Sequence, residues 1–411
     1  MLSATYDTPF EMHASIGPAC AVADVQRDKA TIWTGTQGPH SLQLDMSKLL
    51  DIAPTNVHII NVEASGCYGR NGADLAAADA AVMSQLTGKP VRVQWMRHDE
   101  HGWEPKGPAM TQDLAGGLDG NGNVTGWKHT VWTPPHYDST YIAGELSGKP
   151  VGLPLIGAFN TPVLVYNFDN VSLFQYDQAS FADAIRTSWL RGPAQFQTTF
   201  AMEGFLDELA ASAGADPVEF RLRYLKDPRL IDALNQVAAA SGWETRPSPG
   251  PSSLTRSVTA TGRGVAICNR DDTLVAQVAE VSVNRSTGVT SVTKFWCAHD
   301  CGLIINPKAV QAQVESNIIQ ATSRTLKEEV VFDNANVTSL DWRSYPILTY
   351  PEVPQIETIL INRPDQPATG AGEGATCPVA AAISNAVFDA TGVRLRSLPF
   401  KPDVVLAALS A

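Results

Sequence analysis

Apolar positions along this chain switch between a period of two and a period near 3.6, and the switches mark its elements. Residues 19–25 and 30–35 are short apolar runs around a polar Gln26-Arg27-Asp28-Lys29 turn. Residues 57–62 and 90–96 are further β-branched runs, and all four read as strands. Between the last two lies Ser65-Gly66-Cys67-Tyr68-Gly69-Arg70-Asn71-Gly72, then an Ala-rich helix over 73–86 closed by Gly88. Gly116-Gly117-Leu118-Asp119-Gly120-Asn121-Gly122-Asn123 predicts a hairpin turn. Residues 134–160, rich in Pro, Gly and Tyr without a period, predict a long surface excursion, followed by strands at 163–167 and 171–176.

Helices are predicted over 196–212, with an acidic stripe at Glu203, Asp207 and Glu208, and over 218–225, with Pro217 at the first position. Further helices are predicted at 230–241, 309–328 and 378–391, the last ended by Gly392. A hairpin is expected at 275–283 and 290–297. Residues 243–258, rich in Pro and Ser, are the candidate linker between domains over 1–242 and 259–411. The pattern shows no internal repeat. The fold class is α+β, with mixed sheets and packed helices.

Composition narrows the function. A net charge of −12 argues against a nucleic-acid backbone as partner. No apolar run approaches the roughly 20 residues that span a bilayer, and residues 1–6 lack the basic and apolar regions of a signal peptide. The six cysteines form no CxxC pair, so neither a disulfide framework nor a zinc or iron–sulfur cradle is indicated. Cys297 and Cys301 bracket His299 and Asp300, beside a strand-like run that favours structure over a metal cluster.

Two glycine loops carry the candidate chemistry. The turn at Gly66–Gly72 opens a helix, as anion-holding loops do, but lacks the GK[ST] ending of a nucleotide-phosphate loop; a structural turn fits equally. In Gly370-Ala371-Gly372-Glu373-Gly374 one carboxylate sits between glycines ahead of an apolar helix. In a dry, glycine-lined place that carboxylate is a candidate base. The plain alternative is a glycine loop whose glutamate stabilises a helix start.

Several loops, in one order, resemble the large, molybdopterin-binding subunit of the xanthine dehydrogenase and aldehyde oxidase superfamily, especially its nicotinate dehydrogenase and isoquinoline 1-oxidoreductase type. They are His13-Ala14-Ser15-Ile16-Gly17-Pro18, Trp33-Thr34-Gly35-Thr36-Gln37-Gly38-Pro39-His40, Gly66-Cys67-Tyr68-Gly69-Arg70-Asn71, Pro90-Val91-Arg92-Val93-Gln94-Trp95, Leu190-Arg191-Gly192, Asp207-Glu208-Leu209 followed by Asp216-Pro217-Val218-Glu219-Phe220-Arg221, Ala298-His299-Asp300-Cys301-Gly302-Leu303-Ile304-Ile305-Asn306-Pro307, Gln313-Val314-Glu315 and Gly370-Ala371-Gly372-Glu373.

The resemblance implies a molybdenum cofactor, molybdopterin in its cytosine dinucleotide form, whose pterin rather than any side chain holds the metal. It implies that Glu373 is the catalytic base, and that Gly66, Cys67, Tyr68, Gly69, Arg191, Gly192, Gln313, Gly370, Ala371 and Gly372 surround the cofactor. Arg186 is expected to face the substrate. The implied reaction hydroxylates an electron-poor carbon of an N-heteroaromatic ring, with water as oxygen source. Aldehyde oxidation on the same site and a non-catalytic scaffold are the alternatives. Implied partners are a small [2Fe–2S] subunit, an upstream half of the large subunit, and a cytochrome or flavin acceptor. Family members occur in the bacterial cytoplasm and periplasm.

The chain also departs from the family's pattern. Tyr68 replaces the usual Phe, Gly374 the usual Pro, and Ser316 a frequent Gly; Gly72 stands where purine oxidisers carry a carboxylate, so xanthine is not the expected substrate. No upstream glycine-rich pterin segment is found. The chain is therefore expected to be the C-terminal part of a large subunit, with strands 19–25 and 30–35 forming an open edge.

Overall fold

The computed structural model describes all residues except 138–140, 152–153, 156–161, 179–184 and 256. Its first strand, β1 (Leu2–Thr8), is followed by β2 (Cys20–Val25), β3 (Ala30–Thr34), α1 (Pro39–Leu50), β4 (Val57–Asn61), α2 (Ala73–Thr87), β5 (Val91–Gln94) and α3 (Arg97–Trp103). Strands β2 to β5 form one sheet in the order β4-β3-β2-β5. The alanines of α2 let it lie close on this sheet, and Gly88 closes the helix at φ +64°. The expectation of an open edge at β2 and β3 is corrected here. They are the two central strands, because β4 returns parallel to β3 and β5 pairs with β2.

The chain then rejoins β1. Strands β6 (Met110–Leu118) and β7 (Val124–Thr133) form the expected hairpin, and β6 pairs antiparallel with β1. A short ribbon of β8 (His136–Tyr137) and β9 (Pro154–Leu155), with α4 (Ile142–Leu146) between, lies in the excursion expected at 134–160, which falls partly outside the described residues. Residues 163–167 make no ladder; Tyr166 and Phe168 instead stack in line with Trp127. Strand β10 (Val171–Asp177) pairs parallel with β7, giving the order β1-β6-β7-β10.

Helix α5 (Gln195–Ser212) follows, with sixteen of its eighteen residues buried. Its acidic stripe is therefore inside the protein. Glu203 pairs with Arg221 at 2.9 Å, Asp207 with Arg394 at 2.8 Å and Glu208 with Arg396 at 2.7 Å. Helices α6 (Pro217–Leu222) and α7 (Pro228–Ser241) are each capped by an aspartate, Asp216 and Asp227, before a first-position proline. Segment 243–258 is held at its start, where Trp243 donates to Asp216 and Arg246 forks onto Asp389 at 2.7 and 2.9 Å, and at its end, where Arg285 N donates to Val258 O at 2.7 Å.

The last sheet runs β11 (Thr259–Arg270), β12 (Thr273–Asn284), β13 (Thr290–Asp300) and β14 (Gln355–Leu360) in spatial order, with α8 (Pro307–Leu326) between β13 and β14. Helix α9 (Val379–Thr391) covers it and α10 (Pro402–Ser410) ends the chain. Gly262 and Gly264 on β11 carry α9 in contact: a Cβ on Gly264 would lie 2.2 Å from Ala386 N.

One topology thus appears twice. In the β1-β6-β7-β10 sheet and in the β11–β14 sheet three strands run antiparallel in chain order, the fourth lies parallel to the third, and a buried helix follows. In the first copy the β2–β5 unit is inserted between β1 and β6. No sequence repeat announces this, because the copies share strand order and direction rather than residues. Helices α5 and α9 pack against each other, so the loops that precede them emerge side by side.

Candidate functional site

Those two loops, with the Gly66–Gly69 turn, wall a cleft of about 630 Å³. It is lined by Gln37, Tyr68, Gly69, Trp189, Arg191, Pro193, Arg270, Gln313, Ser316, Gly372 and Glu373. Among the described residues, two arginines against one glutamate make the lining cationic in a chain of net charge −12.

The first wall is two backbones in register. Arg70 N donates to Trp189 O at 3.0 Å and Arg191 N donates to Tyr68 O at 2.8 Å. The approach leaves no room for a side chain at Gly69, whose φ is +130° and whose Cβ would lie 1.8 Å from Trp189 O. Behind it, burial pushes His13 down to about 4. The neutral ring donates Nε2–H to Trp189 O at 2.7 Å. Gly66 O accepts from Ser15, and Cys67 Sγ donates to Gly35 O at 3.1 Å. Burial pushes that thiol up, so Cys67 is a wall and not a thiolate. Gly192 turns the second backbone at φ +75°.

The other wall is the loop at 370–375, and its six carbonyls are all held from beneath. Thr273 donates to Gly370 O at 2.7 Å, Asn317 to Ala371 O at 3.4 Å and Arg191 Nε to Gly372 O at 2.7 Å. Cys377 Sγ reaches Glu373 O, Cys268 Sγ reaches Gly374 O, and Gln277 donates to Ala375 O at 2.8 Å. The N–H groups of 370–375 have no partner among the described residues. A Cβ on Gly370 or Gly372 would meet no atom within 4 Å, so protein packing does not demand these glycines. Unspent N–H groups, open space and a cationic lining fit a large anionic cofactor held by backbone.

Glu373 stands at the end of this loop. Arg270 donates Nε and Nη2 to its Oε2 at 3.1 and 2.7 Å, while Oε1 accepts no hydrogen bond among the described residues. The carboxylate is 37 % exposed, so the dry surrounding expected for it is not found in the chain by itself. Burial works against Arg270's charge, but Glu373 outweighs it and raises the guanidinium.

Of the expected site residues, Gly66, Cys67, Tyr68, Gly69, Arg191, Gly192, Gln313, Gly370, Ala371, Gly372 and Glu373 lie in or directly against these walls. Arg186 does not line the cleft. Its guanidinium donates to Trp103 O at 2.8 Å, with Glu145 and Asp79 as the carboxylates acting on it. The carbonyl of Arg186 accepts from Lys106 N at 2.8 Å. Asp300 takes Arg229 at 2.5 Å and Arg363 at 3.0 Å. Sequence reasoning missed Arg270. It lies 103 residues from Glu373 at a hairpin tip, and only its place beside the turn Asp271-Asp272 marks it.

Two family models, both described as molybdopterin cofactor-binding domain, match residues 1–225 and 170–354. The chain belongs to the molybdopterin cofactor-binding family, the membership its loops predicted. It is 40% identical, over 99% of its length, to a nicotinate dehydrogenase subunit of Pseudomonas putida, of which it spans 35%. It is 30% identical, over 97% of its length, to the beta subunit of isoquinoline 1-oxidoreductase from Brevundimonas diminuta, of which it spans 49%. The chain thus spans between a third and a half of these relatives. Among solved structures, the aldehyde oxidoreductase of Desulfovibrio gigas superposes with a TM-score of 0.83 at 17% identity, covering 100% of this chain and 61% of that one. Quinoline 2-oxidoreductase of Pseudomonas putida 86 gives 0.82 at 15% identity, covering 100% and 76%. At such identities these likenesses concern the fold.

Proposed function

We propose that this chain is the cofactor-bearing part of a molybdenum hydroxylase that oxidises an electron-poor carbon of an N-heteroaromatic ring. The observation that carries the reading is Glu373 in a cationic, glycine-walled cleft, with one carboxylate oxygen on Arg270 and the other unspent. The bound molybdopterin group supplies the two-electron oxidation and the water-derived oxygen. The chain's own residues do the rest. Gly372 and the N–H groups of 370–373 receive the anionic cofactor, in its cytosine dinucleotide form, and Gln313 and Arg191 close that side. Oε1 of Glu373 takes the proton from the reacting oxygen. Arg270 keeps Oε2 in place, so the accepting oxygen has one direction to face. Electrons leave to a small [2Fe–2S] partner, since the six cysteines here are dispersed and free.

The relatives' names, nicotinate dehydrogenase and isoquinoline 1-oxidoreductase, support a ring substrate. The test is Glu373→Gln in the assembled complex. Molybdenum content is expected to stay at the wild-type level while turnover of a pyridine or isoquinoline substrate falls by at least about a hundredfold. Wild-type turnover in that variant overturns the role of Glu373. A wild-type complex that oxidises only aldehydes overturns the ring substrate.

A further inference from the structure

Two guanidinium groups line the cleft, and their surroundings set them apart. Every guanidinium nitrogen of Arg191 is bonded to the protein. It gives Nε to Gly372 O, Nη1 to Ser316 and Gln320, and Nη2 to Gln313 at 2.6 Å. Arg270 gives Nε and Nη2 to one oxygen of Glu373, and its Nη1 makes no hydrogen bond among the described residues. Asp271 approaches Nε at 3.3 Å, but it is 83 % exposed and its charge is screened by water. The Arg270 side chain is 20 % exposed, reachable yet largely out of water.

The neighbouring lining is flat and apolar: Trp189, the Tyr68 ring and Pro193. An aromatic ring stacks on such faces. A carboxylate on that ring would find the open edge of Arg270, since a planar guanidinium takes charged oxygens on more than one edge. The same arginine solves an electrostatic problem. A substrate anion beside Glu373 would be repelled by it, unless a cation stands between the two. Arg270 occupies that position relative to Glu373, and among the described lining residues it alone keeps a guanidinium nitrogen without a hydrogen bond.

Resting on the function proposed above, we infer that Arg270 is a specificity-determining residue that binds the carboxylate of an aromatic acid substrate beside Glu373. The preferred substrate class is then the heteroaromatic carboxylic acid, ahead of its neutral relatives. Arg270 has two roles on two edges: Nε and Nη2 orient the base, and Nη1 reads the substrate.

The test compares Arg270→Gln and Arg270→Lys with the wild-type complex on nicotinate and on nicotinamide, which share the ring but carry an anionic carboxylate and a neutral carboxamide. The expected result is that the ratio of kcat/KM for nicotinate to that for nicotinamide falls at least ~10-fold in Arg270→Gln, chiefly through KM for nicotinate, with Arg270→Lys restoring part of it. Benzoate, a ring acid that is not turned over, gives a second reading by calorimetry, and its Kd is expected to weaken about 10-fold in Arg270→Gln. Equal losses of kcat on both substrates, with an unchanged Kd for benzoate, would mean that Arg270 only positions Glu373 and would overturn the inference. A molybdenum-loaded wild-type complex that oxidises neither ring would sink the proposed reaction instead. The benzoate measurement then still decides the role of Arg270.

Discussion

At the level of single residues, the cleft depends on places where a side chain is impossible or a donor is unspent. Gly69 is the strictest. Its φ of +130° is open to glycine alone, and a Cβ would enter the Trp189 carbonyl at 1.8 Å. Substitution must part the two backbones that Arg70 N and Arg191 N hold together. Gly69→Ala is therefore expected to cost on the order of 3 kcal/mol or more, seen as a lower urea midpoint. An unchanged midpoint would mean the two loops have slack that the geometry does not suggest. Glycines 370 and 372 are legible in the sequence for a different reason, since their Cβ positions face empty space. Here no neighbouring atom demands a glycine, whereas at Gly69 the Trp189 carbonyl does, and the letters alone do not tell the two apart. Arg270 was illegible because its meaning comes from Glu373, and nothing local in Asn269-Arg270-Asp271-Asp272 announces a partner 103 residues away.

Elements were legible where local chemistry closes them. The helix ended by Gly88, the hairpin at 116–123, the caps at Asp216 and Asp227, and the helix ended by Gly392 all follow from residues within one turn. Strand β1 was not, because its ladder partner β6 lies over a hundred residues on, and the edge assignment of β2 and β3 failed for the same reason. Strand pairing is a long-range property that a run of apolar residues does not encode. The element that sets the site is α9, since the Glu373 loop leads straight into it. Gly262 and Gly264 allow α9 to rest on β11 backbone to backbone, with twelve of its thirteen residues buried. Gly264→Ala puts a methyl 2.2 Å from Ala386 N and 2.3 Å from Ala382 O, and backbone cannot swing aside as a side chain can. The expected cost is about 3 kcal/mol, at the upper end for overpacking. Helix α9 should move outward and carry the Glu373 loop with it, so molybdenum per chain should fall at temperatures where circular dichroism still reports folded protein. Full molybdenum content alongside a lowered melting temperature would separate the helix from the loop.

Across the whole molecule, distant segments meet in a buried charged cluster behind the cleft. Arg324 of α8 forks onto Glu11, 313 residues away, at 2.6 and 2.9 Å, donates to Arg191 O and lies 3.8 Å over the Phe196 ring. Glu328, one turn on, accepts from Tyr345 at 2.8 Å and is buried with them. Burial, helped by the Glu11 charge, pushes the Glu328 carboxyl up to about 7, against the opposing pull of Ser323, Tyr345 and Arg324. In an unfolded chain a glutamate titrates near about 4.3. Between those two values the native protein holds a proton that the unfolded chain has released. Stability contributed by this group is therefore complete below about pH 4 and is lost as pH rises through about 7. Glu328→Gln keeps an acceptor for Tyr345 and removes the titration. The variant should match the wild type within about 1 kcal/mol at pH 5 and exceed it by on the order of 2 kcal/mol at pH 8, since a tenfold change in proton affinity between the two states is worth about 1.4 kcal/mol. Urea midpoints at the two pH values measure this. A stability difference that is the same at both would show that Glu328 is charged in the native protein at pH 5, with Arg324 serving two carboxylates at once.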